Sequence, residues 1–407
     1  MKLNFQMAAR NIFRHKRRSL LTGLSMAVGY ILLSLSLSVT EGSYNTLIKE
    51  FTENVTGHIQ IHKQGYLDKP RILWTIPAYQ AIEEEIRKLA PESRFAAKVK
   101  GSALAFGKKR VFPASILGIQ IKKEDELRNL ADKIKSGSYF SSIKARREAL
   151  LGSRLASSLN LDIGDDLVLI STGADGSIAN DVFTVQGLIG SKDSLEGRNI
   201  YLSLEDAQSF FSVYGSVHEI SILLDQESKT DDIVQKLRSN LKGQSKLEVH
   251  SWQEVEKAFY QSMEADKQGN NVSLFIIILM VSIGVLNTVL MSVLERIKEY
   301  GLLRAIGVRP KNIISLVLME TGILASLSCL IGASLAIPIN YWFKNVGITL
   351  SHPIEIGGMS FTKLLGDLSA QTILIPALVV VLSAILVSLY PALKAATVSP
   401  TAALQKG

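Results

Sequence analysis

The chain has 407 residues, 47% of them hydrophobic, only a little above the norm for soluble proteins, which points to a few intensely apolar stretches beside an ordinary folded domain. The net charge of +8 comes from clusters that flank those stretches, which excludes nucleic acid as the reason for it. A single cysteine, Cys329, excludes a disulfide framework.

Residues 1–18 hold Lys2, Arg10, Arg14, Lys16, Arg17 and Arg18 and no acid. The uncharged stretch that follows predicts a first transmembrane helix over 19–41. A cleavable signal has an apolar core of about 7–15 residues and a small-residue cleavage site, and this stretch has neither. Residues 42–270 read as an extracytoplasmic α+β domain. Alternation predicts a strand at 57–62, and an amphipathic helix over 78–90 stops before Pro91. Apolar runs at 95–106 and 110–119 flank Gly107-Lys108-Lys109 as a hairpin would. A helix at 152–160 leads to strands at 167–171 and 181–189, joined through Gly173-Ala174-Asp175-Gly176. A strand at 199–203 runs into a helix at 204–212, with Ser203 as its cap. Strand 218–224, helix 230–241 and strand 246–250 complete a domain large enough to fold on its own apolar core.

Apolar stripes tie that domain to its flanking helices: Tyr44, Leu47, Ile48 and Phe51 on one side, Trp252, Val255, Phe259 and Met263 on the other. No proline lies between Trp252 and Leu294, so one helix of about 43 residues, roughly 65 Å, can run through. A joint at Gly269-Asn270-Asn271 is the alternative, since glycine weakens a helix interior.

A second transmembrane helix follows at 271–294, a cytoplasmic segment at 295–311, a third helix at 312–339, a short extracytoplasmic loop at 340–367, a fourth helix at 368–393 and a cytoplasmic tail at 394–407. Each span exceeds the ~20 residues that a bilayer core requires. Arg296, Lys298, Arg304, Arg309 and Lys311, with Lys394 and Lys406, place 295–311 and both termini inside.

Catalytic signatures are missing. The chain has no G-x-x-x-x-G-K-[ST], no G-x-S-x-G and no H-E-x-x-H, so no catalytic residue, cofactor or metal is expected on it. His58 and His62 share a strand face with Gln60; lacking a third ligand, they are expected on a solvated face. Glu320 is the one acid inside a span, about 12 Å from its start at 1.5 Å per residue. Such an acid is either functional, or a packing group bonded to Asn287 or to a Ser or Thr hydroxyl, or one that reaches the cytoplasmic headgroup zone. Segment 295–311 carries apolar Leu302, Leu303, Ala305, Ile306 and Val308 between charges. It suits either a docking partner or the membrane surface.

The run ERIKEYGLLRAIGVRPKNI resembles the ATPase-coupling segment of the MacB/FtsX/LolC–LolE superfamily of ABC transporter permeases. The matching positions are Glu295, Arg296, Glu299, Gly301, Leu303, Arg304, Ala305, Ile306 and Gly307. AARNIFRHKRRSLLTGL, TGHIQIHKQGY and PALKAATVSPTAAL resemble that family's N-terminal basic segment, first external strand and C-terminal pattern. LLGSRLASSLNLDIGDDLVLIS and NIYLSLEDAQSFF are similar to the lipoprotein-releasing LolC/LolE branch. The resemblance implies a permease subunit in the inner membrane, paired with a second copy or paralogue and with two separate ABC ATPase subunits that bind the ATP. It implies motion passed to a periplasmic domain, for release of lipoproteins from the outer leaflet. A MacB-like efflux permease for peptides or drugs, or an FtsX-like regulator of a cell-wall hydrolase, is the alternative. MacB-type chains carry their own ATPase and FtsX-type external domains are smaller, which favours the first. LolC-type permeases recruit a periplasmic carrier through a long, proline-containing hairpin. Residues 171–181 here are short and lack proline, so the resemblance does not extend to a carrier or adaptor docking there.

Overall fold

A computed structural model describes residues 16–142, 146–191, 194, 196–241, 246–356 and 359–397. The basic residues Lys2, Arg10 and Arg14 and the tail beyond Thr397 lie outside them. The chain divides into two units, one comprising residues 1–46, 263–351 and 363–407, the other 47–262 with 352–362.

The first unit is built on apolar helices: α1 (Lys16–Phe51), α8 (Lys257–Glu295), α10 (Pro310–Asn345) and α11 (Ala370–Ala396), with the short α9 (Ile297–Ala305) between α8 and α10. Among the described residues, four helices are long and apolar enough to cross a membrane. Their exposed faces are aliphatic, with Leu24, Leu32, Phe275, Leu279, Leu378 and Leu386 outward, as lipid requires. Inside, Met26, Tyr30, Val285, Val289, Ala325 and Ala384 form the packed seam. Hydrogen bonds add to it: Asn340 Nδ2 donates to Ser34 Oγ at 2.9 Å, and Ser34 Oγ donates to the Thr372 carbonyl at 2.9 Å. Between 345 and 370 the outer loop contains a hairpin of β13 (Ile348–Ile356) and β14 (Met359–Leu364), where the sequence had suggested only a loop. Helix α8 passes through Gly269-Asn270-Asn271 unbroken; the interruption falls instead at Glu256, between the short α7 (Trp252–Val255) and α8.

Close backbone approach holds this unit together, as small residues allow in lipid. A Cβ on Gly42 would lie 2.2 Å from the carbonyl carbon of Gly366, where the Asp367 amide donates to the Ser38 carbonyl at 2.8 Å. Gly42→Val is therefore expected to lower the unfolding midpoint in detergent, at a cost of about 1–3 kcal/mol. Gly269→Ala, whose added Cβ meets nothing within 4 Å, is expected to leave the midpoint unchanged or raise it slightly.

In the second unit, alternation gives the sheet one apolar face and a second, more polar face that still holds a smaller apolar cluster around Ile119, Leu150 and Ile189. Its strands are β1 (Ile59–Lys63), β3 (Arg94–Phe106), β4 (Val111–Ile119), β5 (Ile134–Gly137), β6 (Glu148–Gly152), β7 (Asp166–Thr172), β8 (Ile178–Ile189), β9 (Asn199–Ser203), β11 (Glu219–Leu223) and β12 (Leu247–Ser251). The order is β12-β1-β11-β3-β4-β9-β6-β8-β5, and β7 joins β8 back to β3. The pairs β4/β9 and β6/β8 are parallel. A two-stranded ribbon, β2 (Ile76–Pro77) with β10 (Ser216–Val217), stands apart. The apolar face, including Ile61, Val99, Ile116, Ile200 and Ile220, packs with residues of α2 (Tyr79–Leu89), α4 (Ser153–Leu159), α5 (Leu204–Phe210) and α6 (Thr230–Leu241). Ser203 caps α5 by accepting from the Asp206 amide at 3.1 Å. The polar face is covered too, by α3 (Ile121–Arg128), which the sequence pattern had not revealed.

The expectation of a solvated face for His58 and His62 is corrected as well: Tyr66 stacks on His62 with ring centroids 5.3 Å apart, and Thr56 lies beside Gln60. Both histidines are buried, as is Gln60 between them. His58 Nδ1 accepts from the Leu224 amide at 2.9 Å, Gln60 donates to the Thr56 carbonyl at 2.7 Å, and His62 Nε2 lies 3.4 Å from Glu219. Burial pushes His58 down to about 4, leaving it a neutral acceptor. The hairpin at 171–181 closes tightly: the Gly173 amide donates to the Ser177 carbonyl at 2.9 Å, and Gly176 takes a φ of 83° that favours glycine. Phe51 stacks on Phe259, ring centroids 4.4 Å apart, joining the segments that lead out of this unit.

The candidate ATPase-coupling site

The helix leaving α8 stops because Arg296 takes a non-helical ψ of 16°. The chain restarts as α9, which lasts through Ala305. It then stops at Gly307, whose φ of 91° lets its amide reach the Arg304 carbonyl and the Val308 amide reach that of Leu303. Arg309 and Pro310 open α10, with proline in the first turn where its missing N–H costs nothing. The result is a short helix between two long ones.

Charge fixes it in place. Arg296 is 7% exposed. Its Nη1 donates to both oxygens of Glu320, at 3.1 and 3.0 Å, and its Nε donates to Glu299 at 2.9 Å. The guanidinium lies 5.4 Å from the Tyr300 ring centre, a cation–π contact. Glu320 of α10 thus answers an arginine at the head of α9, a partner the sequence had not suggested. One nitrogen shared between two carboxylate oxygens makes a charge-assisted, three-centre contact.

The two faces of α9 differ. Tyr300 and Gly301 are buried, and Leu303 and Val308 pack against the helix bundle. On the other side Leu302 is 59% and Ile306 71% exposed, a pair at i, i+4. Ala305 and Gly307 are exposed beside them, as are Glu295, Lys298, Glu299, Arg309 and Lys311, while Arg304 is half-buried. Of the residues singled out in the sequence, Arg296, Glu299 and Glu320 meet in one ionic cluster. Ala305, Ile306 and Gly307 form one small apolar surface, and Gly301 and Leu303 face inward. Tyr300 was missed, although its i+4 spacing from Arg296 was a signal.

The family described as FtsX-like permease C-terminal matches residues 271–400, and that described as MacB-like periplasmic core domain matches residues 19–240. The lipoprotein-releasing system transmembrane protein LolC of Xylella fastidiosa is 22% identical over 94% of this chain and 92% of its own. The macrolide export ATP-binding/permease protein MacB of Neisseria meningitidis is 24% identical over 88% of this chain and 55% of its own. The crystal structure of the periplasmic region of MacB from Actinobacillus actinomycetemcomitans is 13% identical, with a TM-score of 0.38 over 54% of this chain and 98% of its own. The chain is a membrane protein that belongs to the MacB/FtsX/LolC superfamily and is an ABC transporter permease of that type.

Proposed function

We propose that this chain is the permease subunit of an inner-membrane transporter in which two separate ATPase subunits grip α9 and a second permease, copy or paralogue, completes the pair. ATP is bound and hydrolysed on the partners. Movement of α9 reaches α10 through Arg296 and Glu320, and α8 carries it over a 39-residue helix, about 58 Å at 1.5 Å per residue. The work done in the periplasm is release of lipid-anchored proteins from the outer leaflet. One observation supports the coupling role above the others: an exposed Leu302–Ile306 pair on a helix whose opposite face is tied down. An exposed apolar pair on a fixed helix suits a groove in a partner. The likeness to LolC along nearly the whole chain supports the substrate class.

The test is reconstitution with the ATPase in liposomes that carry a fluorescent lipid-anchored protein. ATP is expected to release that protein into solution, and ADP to leave it bound. Retention of the lipid-anchored protein under ATP, with export of a soluble peptide in its place, would overturn the lipoprotein assignment.

A further inference from the structure

The polar face of the external sheet is hollow. A cavity of about 710 Å³ is floored by Lys98, Lys100, Ser115, Asn199, Tyr201 and Glu219 and roofed by Glu124 and Arg128 of α3. Asn54 to Thr56, just after α1, and Val255 and Glu256, just before α8, form part of its wall. Charged residues stand on this face beside a smaller apolar cluster that includes Ile119, Leu150 and Ile189.

Its charged groups are unevenly paired. Glu219 is fully engaged: it takes Lys100, lies 3.4 Å from His62 and 3.9 Å from Lys98, and accepts from Ser221 Oγ at 2.6 Å. Lys98, at 3.0 Å, and Arg128, at 2.8 Å, approach the same oxygen of Glu124, and its other oxygen accepts no hydrogen bond. His62 and His218 are pushed down by burial and contribute no positive charge. The lining as a whole sets Arg71, Lys98, Lys100 and Arg128 against Glu124, Glu196, Glu219 and Glu256. The unmet donors lie on Arg128, only 6% exposed, whose Nε and Nη2 have no hydrogen-bond acceptor. The 2.8 Å approach to Glu124 is therefore an ion pair by distance, without an N–H directed at the oxygen. Burial and the neighbouring Arg128 charge also push the Lys98 ammonium down to about 8. A buried guanidinium with two idle donors is costly unless an acceptor arrives.

We infer that this cavity binds a compact oxyanion, a phosphate or carboxylate group, which takes the free donors of Arg128 and the Lys98 ammonium as its partners. A phosphoryl group suits the fork of a guanidinium. The wall ties occupancy to the transport cycle: a ligand held here touches the segments on which both flanking helices end, so it can sense or restrain their motion. The site itself does not depend on the transport reading.

The experiment titrates the full chain, in an uncharged detergent, with inorganic phosphate, acetate and a short-chain phosphatidic acid, by calorimetry. Saturable binding of at least one is expected, weakened at least tenfold by Arg128→Gln and by Lys98→Met, and unchanged by Lys122→Gln on the exposed side of α3. Tighter binding of phosphatidic acid than of phosphate would support the site and assign it to a lipid headgroup. Binding of phosphate or acetate alone would support it and assign a soluble anion. Lys98→Met keeps the test open if Arg128→Gln fails to fold. No saturable binding of any probe, or binding that neither variant weakens, would overturn the site and leave water as the filling of the cavity.

Discussion

Ile306→Asp is expected to strip the ATPase from the purified permease. Ile306 is 71% exposed and Leu302 one turn earlier is 59% exposed, so the new carboxylate falls in the middle of the apolar surface. Docking would bury it without a partner, at roughly 3 kcal/mol or more, which is a loss of about a hundredfold or more in affinity. Membrane insertion and the unfolding midpoint should stay near wild type, because the side chain touches little within the chain. Lys298→Asp, exposed on the same helix, serves as the control and should change co-purification only slightly. If α9 merely rested on lipid, the acid would turn to water and the ATPase would still co-purify.

The ionic cluster at the head of α9 gives the second large effect. Removing the guanidinium takes a charge-assisted hydrogen bond from the part-buried Glu320, at about 2–3 kcal/mol. Arg296→Ala is therefore expected to lower the unfolding midpoint markedly, since Glu320 and Glu299 both lose it. Arg296→Met combined with Glu320→Leu restores apolar packing and should recover most of that stability. The double variant should nonetheless release substrate more slowly per ATP hydrolysed, because α9 no longer pulls on α10 through a directed bond. Single variants as stable as wild type, or a double variant with full release per ATP, would mean that the pair carries neither stability nor motion.

Much of the external fold was legible because alternation is a local property. Strand 199–203, the Ser203 cap and helix 230–241 follow from side-chain spacing alone, and they stand where the pattern put them. Helix α3 was not legible: IKKEDELR is so charged that it reads as a surface segment, yet Glu124 and Arg128 face the sheet. The polarity of His58, Gln60 and His62 misled for the same reason, since a covered polar face and a solvated one share one sequence pattern. At the coupling segment the apolar residues were visible but not their division into two faces, which depends on where the helix breaks. Arg296 and Glu320 lie 24 residues apart; only the break at Arg296 and the turn at Gly307 bring them together.

The most direct measurement places spin labels at Asn345→Cys and Ser228→Cys in a Cys329→Ser background, one in each unit, both at exposed positions. Pulsed electron resonance then reads the distance between them in the complex with its ATPase. Binding of a non-hydrolysable ATP analogue is expected to shift that distance, ADP to reverse the shift, and Ile306→Asp to abolish it. A distance that ignores nucleotide in an ATPase-bound, transport-active complex, or a shift that survives Ile306→Asp, would contradict transmission from α9 to the external domain.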